Sequence, residues 1–166
     1  MQNTFSQLAF GAVAGLAGTM TIQTLLKAHQ KLAPESLPPM NEDPGHFMIR
    51  KAEQLLPQKA RERIPEKAES ASAKLLGLGY GMTFGALYAA LRPKTRRPLL
   101  EGALLGIATW AAGYLGWLPG AKLMPPVWKQ NATQVALPLA EHALYGVATV
   151  ESYRWLRARA RQASFS

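Results

Sequence analysis

The residues best placed to do chemistry in this chain are two neighbours. In the stretch AEHALYGVATVES (Ala140 to Ser152), Glu141 and His142 stand side by side within an otherwise apolar run. An ionised carboxylate in hydrocarbon costs at least about 3 kcal/mol, so Glu141 must be protonated, paired or facing a wet cavity. Counted from an entry at Thr133, it lies roughly 12 Å deep at the rise of an α-helix. Helical periodicity turns His142 about 100° away from Glu141, so the two diverge and form no acid–base dyad. Tyr145 sits one turn later on the face of Glu141. Pro138, about one turn earlier, frees the Gln134 carbonyl and bends the helix. Each ionisable group therefore needs a partner on a neighbouring helix. Thr19, Thr21, Gln23 and Thr24 are at compatible depth, as are Thr109 and Trp110. Glu141, His142, Tyr145, Gln23 and Thr19 form the expected polar intramembrane site. Such a site serves either a proton, ion or small solute, or hydrogen bonds that hold the helices together.

Other chemistry finds little footing. There is no cysteine, which removes disulfides, thiolate metal sites and thiol nucleophiles together. Glu42, Asp43 and His46 are close in sequence, with His29 nearby, but no HxxxH pair occurs. Asp43 followed by Pro44 reads instead as a helix cap with proline at the first helical position. No metal and no cofactor are expected. A Ser-His-Asp signature, a phosphate loop and paired carboxylates at hydrolase spacing are absent from the sequence, so no catalytic residue and no enzyme are expected. Glu101 and Glu151 read as interfacial ion pairs with Arg96, Arg97 and Arg154.

The elements that must position these residues follow from the charge pattern. The net charge is +9, from 19 Lys plus Arg against 10 Asp plus Glu, and it is gathered in blocks. No charged side chain occurs from Gln2 to Leu26, from Leu75 to Leu91, or from Gly102 to Ala121. A bilayer core needs roughly 20 mostly apolar residues as a helix. A soluble helix would show a polar face every turn, which these segments lack. The expected fold is all-α: one membrane domain over 1–166 with four transmembrane helices at about 6–26, 71–91, 99–118 and 133–153. MQNTFSQ carries no Lys or Arg, so the first segment reads as a mature helix and not as a cleaved signal. The charged loop 27–70 is expected to be partly helical. Its GHFMIRKAEQLL suits a short interfacial amphipathic helix, and EKAESASAK suits a second one that may lead into the next span. The basic residues Arg92, Lys94, Arg96, Arg97, Arg157, Arg159 and Arg161 sit in the short RPKTRRP connection and the tail 154–166. They place both termini in the cytoplasm and loop 27–70 outside, and they are expected to meet lipid headgroups, not nucleic acid.

A repeat is visible. Aligning Gly11 with Gly102 also aligns Gly15 with Gly106, and Tyr80-Gly81 matches Tyr145-Gly146. Two duplicated helical hairpins with a pseudo-axis along the membrane normal are expected. Gly11, Gly15, Gly18, Gly77, Gly81, Gly85, Gly102, Gly106 and Gly146 should line helix faces where backbones approach closely. Such faces also suit a homo-oligomer or a larger membrane complex.

The motifs GAVAGLAG, YGMTFGALYAAL and HALYGVATVESYRWL resemble those of the YagU-like uncharacterised bacterial inner-membrane proteins. The pattern that carries most is His142-x-x-Tyr145-Gly146 followed by Glu151. The resemblance implies a bacterial inner-membrane location and no established reaction. The function expected is a polytopic structural or accessory protein; the alternative is a small transporter or channel using Glu141, His142 and Tyr145.

Overall fold

The computed structural model describes residues 4–92 and 94–163, with no strand among them. Pro93 and the extreme ends of the chain, including the last residues of the tail, lie outside the described residues.

α1 (Thr4–Leu32) runs past Leu26, where the apolar segment ends. Nothing in KAHQKL breaks a helix, and Lys, Ala and Gln are good helix formers. Pro34 stops it, because a proline disfavours helical geometry in the residue before it. A single 3₁₀ turn follows, Pro34–Ser36. α2 (Pro44–Glu53) starts where the Asp43 side chain accepts the His46 N–H at 2.9 Å and Pro44 takes the first position. α3 (Gln58–Arg61) is one turn. α4 (Glu66–Leu91) joins the second loop helix and the second apolar segment without a break; Glu66 and Glu69 in its first turn complement the helix dipole. α5 (Pro98–Ala111) passes through a π-helical turn, Ala112–Trp117, into α6 (Leu118–Gly120). α7 (Ala132–Ala163) starts where the Gln134 side chain reaches back to the Asn131 N–H at 3.1 Å, half of a capping box. It continues well past the expected end near Tyr153. RWLRARARQ has no breaker, and Arg157 and Arg159 lie over the Tyr153 and Trp155 rings at 5.5 and 5.3 Å. The basic tail is therefore helical over its described length.

Two stretches, Thr4–Leu32 and Pro98–Gly120, are long and apolar enough to cross a membrane. α4 and α7 have the length, 26 and 32 residues. They fall short in apolarity: the uncharged run of α4 is rich in Gly and Tyr, and α7 carries Glu141, His142 and Glu151.

α1, α4, the α5–α6 rod and α7 pack antiparallel. The extensive contacts are α1 with α4, α5 with α7, and α1 with α7. α4 and α5 meet through long side chains, as where the Tyr88 hydroxyl donates to Glu101 at 2.8 Å. α2 lies on α4. Both hairpins are seamed by glycine. A Cβ at Gly11 would run into Gly85 O and Ala86 Cα, and one at Gly102 into Gly146 O and Val147 Cα. Gly15 meets Gly81 O and Met82 Cα in the same way that Gly106 meets His142 O and Ala143 Cα. The two hairpins are thus built alike, but the register differs from the sequence alignment by one helical turn. Gly81 corresponds to His142 and Gly85 to Gly146, whereas the sequence had paired Tyr80-Gly81 with Tyr145-Gly146. A shift of four residues keeps the same helix face, so Gly- and Ala-rich helices match themselves at either offset. Gly18 packs on Thr149 and Tyr145 of α7. Gly77 departs from expectation: it is exposed, and no atom lies within 4 Å of a Cβ built there.

Large apolar side chains face outward on all four long helices, among them Phe5, Met20, Leu75, Leu87, Leu104, Ile107, Leu144 and Trp155. Inside lie the small and polar residues Gly15, Thr19, Thr109, Tyr145 and Thr149. Gly106→Val is expected to lower stability in detergent by about 3 kcal/mol or more, as overpacking against backbone that cannot yield. Gly77→Ala should be neutral or stabilising by up to about 1 kcal/mol. Thermal unfolding of the two variants beside the parent checks both.

Candidate functional site

Glu141 has a partner that the sequence did not suggest. Its Oε1 lies 2.7 Å from Nδ1 of His29, in the last turn of α1. The other ring nitrogen, Nε2, lies 2.8 Å from Ser36 Oγ, and that hydroxyl donates to Ala33 O at 2.7 Å. Two neighbouring segments, the end of α1 and the 3₁₀ turn after it, therefore meet a distant one, the middle of α7. The side chains of His29 and Glu141 are 5% and 14% exposed.

The partners expected for Glu141 lie elsewhere. Thr19 Oγ1 donates to Gly15 O at 2.9 Å and packs against Gly81. Gln23 is exposed. The reason is the length of α1: its helix carries on beyond Leu26, so His29 and not Gln23 arrives opposite Glu141. One signal for this was in the sequence, since no Gly or Pro separates Gly18 from Pro34. Ser36 had none, because its position depends on how the chain turns back.

Around this pair the second hairpin supplies aromatic walls. Tyr114, in the π turn, is close enough to Glu141 to feel its charge. Its ring meets His142 edge-on at 5.6 Å and stacks on Trp110 at 5.6 Å. His142 Nδ1 lies 2.7 Å from Pro138 O; a carbonyl only accepts, so this nitrogen carries the proton. His142 and Glu141 do point apart. Tyr145, expected beside Glu141, instead donates its hydroxyl to Gly81 O of α4 at 3.1 Å. Above Tyr114 an apolar plug of Leu118, Leu123 and Met124 gathers Met40 and Phe47. Asn41 ties the two loops there, bonding Leu123 O through its backbone N–H and Lys122 O through its side chain, at 2.7 and 2.8 Å. These bonds accompany the left-handed φ of 59° at Lys122. Two surface hollows, of about 450 and 640 Å³, lie away from the pair, one beside Ser70 and Lys74 and the other beside Val13, Ala17 and Trp155.

An acid on Nδ1 and a serine on Nε2 is the connectivity of a nucleophilic serine site. Here the turn does not complete it. The N–H groups of Ser36 and Leu37 are bonded to Ala33 O and Pro34 O, so neither is free to hold an oxyanion, and Ser36 is 5% exposed. What the arrangement can do is hold and pass a proton.

At the other end of the bundle, Glu101 caps α5. It accepts the N–H groups of Arg96 and Arg97 at 2.9 and 3.0 Å, the Tyr88 hydroxyl, and the Arg92 guanidinium at 3.1 Å. Arg92 reaches Glu101 from an exposed position, while Arg96 and Arg97, whose side chains were expected to neutralise Glu101, contribute their backbone N–H groups instead. Arg154 pairs with Glu151 at 2.7 Å. Lys94, Arg96, Arg97, Arg159 and Arg161 are exposed and Arg157 is half-buried, all at this same end.

Removing one partner of this buried pair leaves the polar group of the other without its hydrogen bond. Glu141→Gln and His29→Gln are each expected to cost about 3 kcal/mol. The double variant should cost less than their sum by about 1 kcal/mol or more. Gln23→Ala should have no effect. A double-mutant cycle of unfolding in detergent measures all three. Set beside known proteins, the chain matches no family model, no curated protein and no solved structure.

Proposed function

We propose that the chain is a four-span protein of the bacterial inner membrane, of structural or accessory type, that packs with itself or with a larger membrane complex. The observation that carries this reading is the inverted polarity of the bundle. Large apolar side chains face outward on every long helix, including Leu75 and Leu87 of α4 and Leu144 and Trp155 of α7, while glycines, threonines and the His29–Glu141 pair lie inside. In lipid there is no hydrophobic force between helices, and close packing at small residues takes its place. The glycine seams supply that packing. With four spans, both termini and the basic 92–97 loop share one side, and the positive-inside rule makes it the cytoplasm. The resemblance to the YagU-like proteins points to the same placement.

A solute pathway is the weaker reading. Glu141 is already taken up by His29, and helix backbones touch where a path between them would run.

The chain has no cysteine of its own, so single cysteines report cleanly. Lys59→Cys in intact spheroplasts should react with a membrane-impermeant maleimide, and Arg96→Cys should react only after permeabilisation. Labelling of both from one side sinks the four-span topology. Cross-linking in membranes should then yield a defined homo-oligomer or a stoichiometric partner. A monomer whose proteoliposomes conduct a flux that Glu141→Gln abolishes would put the transport reading in its place.

A further inference from the structure

We propose that Glu141, His29 and Ser36 form a binding site for one exchangeable proton, a relay in which the Ser36 hydroxyl turns over as the proton comes and goes. The inference goes beyond the membrane reading and holds whatever number of helices cross the bilayer.

It rests on donor and acceptor counting. Ala33 O can only accept, so with the site loaded the Ser36 O–H points to it at 2.7 Å. Ser36 Oγ then accepts from His29 Nε2–H at 2.8 Å. One proton remains between His29 Nδ1 and Glu141 Oε1, which are 2.7 Å apart. Whether it rests on the imidazole or on the carboxyl, every contact is satisfied and the pair is neutral.

Removing that proton leaves the ring with a single N–H and Glu141 as a carboxylate that cannot donate. The N–H must then sit on Nδ1, facing Glu141. Nε2 becomes an acceptor, and the Ser36 O–H swings from Ala33 O to meet it. Both His29 contacts survive. The only bond lost is that from the Ser36 hydroxyl to Ala33 O, which still holds the Ser36 N–H at 3.0 Å. A buried His–Glu pair without the serine would have to leave Nε2 unpartnered or set two lone pairs face to face. The serine is what lets this site exist both with and without its proton.

Access runs through the carboxylate, since the Glu141 side chain is 14% exposed against 5% for His29. The other titratable groups facing the pair are few. Tyr114 comes from the π turn of α5. On α7 itself, His142 has its Nδ1 proton committed to Pro138 O. Lys27 and Lys31 of α1 and Glu35 of the turn flank the site from exposed positions.

The test is nuclear magnetic resonance on the full chain in detergent micelles, with ¹⁵N-labelled histidine and ¹³C-labelled glutamate, titrated across the pH range in which it stays folded. The His29 ring nitrogens and the Glu141 carboxyl should shift together at one midpoint, and the high-pH form should carry its proton on Nδ1. Amide exchange over Ala33–Leu37 should change across that midpoint in the parent and stay flat in Ser36→Ala. Glu141→Gln should abolish the joint transition. Separate midpoints for His29 and Glu141, a high-pH Nε2–H form, no titration at all, or a pH step in exchange that survives Ser36→Ala would each overturn the relay. Ser36→Ala keeps the question answerable if Glu141→Gln does not fold.

Discussion

Contact between helix backbones is the constraint from which the rest of this structure follows. In each hairpin two glycines on one helix meet carbonyl and Cα atoms of its neighbour, with no side chain between them. Such contacts leave no freedom to slide or roll, because a shift of even one residue would drive a Cβ into a backbone atom. They therefore set the rotation of α7. Its face at His142, Ala143 and Gly146 is pressed on α5 through backbone atoms. Glu141, about 100° round the helix, is thereby left to face α1.

The likeness of the hairpins makes their difference informative. In the register that the contacts define, His142 replaces Gly81 and Glu141 replaces Tyr80. At that level the first hairpin has Tyr80 and Gly81, where the second has Glu141 and His142. The same level of the second hairpin holds the π turn from Ala112 to Trp117, which carries Tyr114 between the polar pair and the apolar plug. Short π-helical segments inside α-helices are frequent at functional sites. The departure from symmetry is thus concentrated in one place, and it involves both helices of the second copy.

Two carboxylates do related work at opposite ends. Glu101 gathers two backbone N–H groups, a phenol and a guanidinium, and fixes Arg92, Arg96 and Arg97 to the start of α5. Glu141 takes His29 and, through it, fixes the turn at Ser36 to α7. The first is fully supplied with donors and is a permanent clasp. The second shares a single proton with a base, and so its bonding pattern can change without its partners moving apart.

Much of the architecture was legible in the chain itself. The blocks of charge, the apolar runs between them, the four-residue spacing of glycine and the Asp43-Pro44 cap all act over one or two helical turns. Local signals of that range are sufficient to specify helices, their caps and the faces that allow close packing. The continuation of α1 to Leu32 and of α7 past Tyr153 was legible too, in the lack of any breaker, although the apolar runs stop near Leu26 and Tyr153. What only the tertiary structure decided was which faces meet and at what height. Glu141 and His29 are 112 residues apart, and no periodicity links them. Their meeting depends on α1 lying against α7 and on α1 running one turn and more beyond its apolar stretch. The one-turn error in the repeat and the open position of Gly77 have the same cause. A helix looks alike to itself every fourth residue, and only contact with another helix breaks that tie.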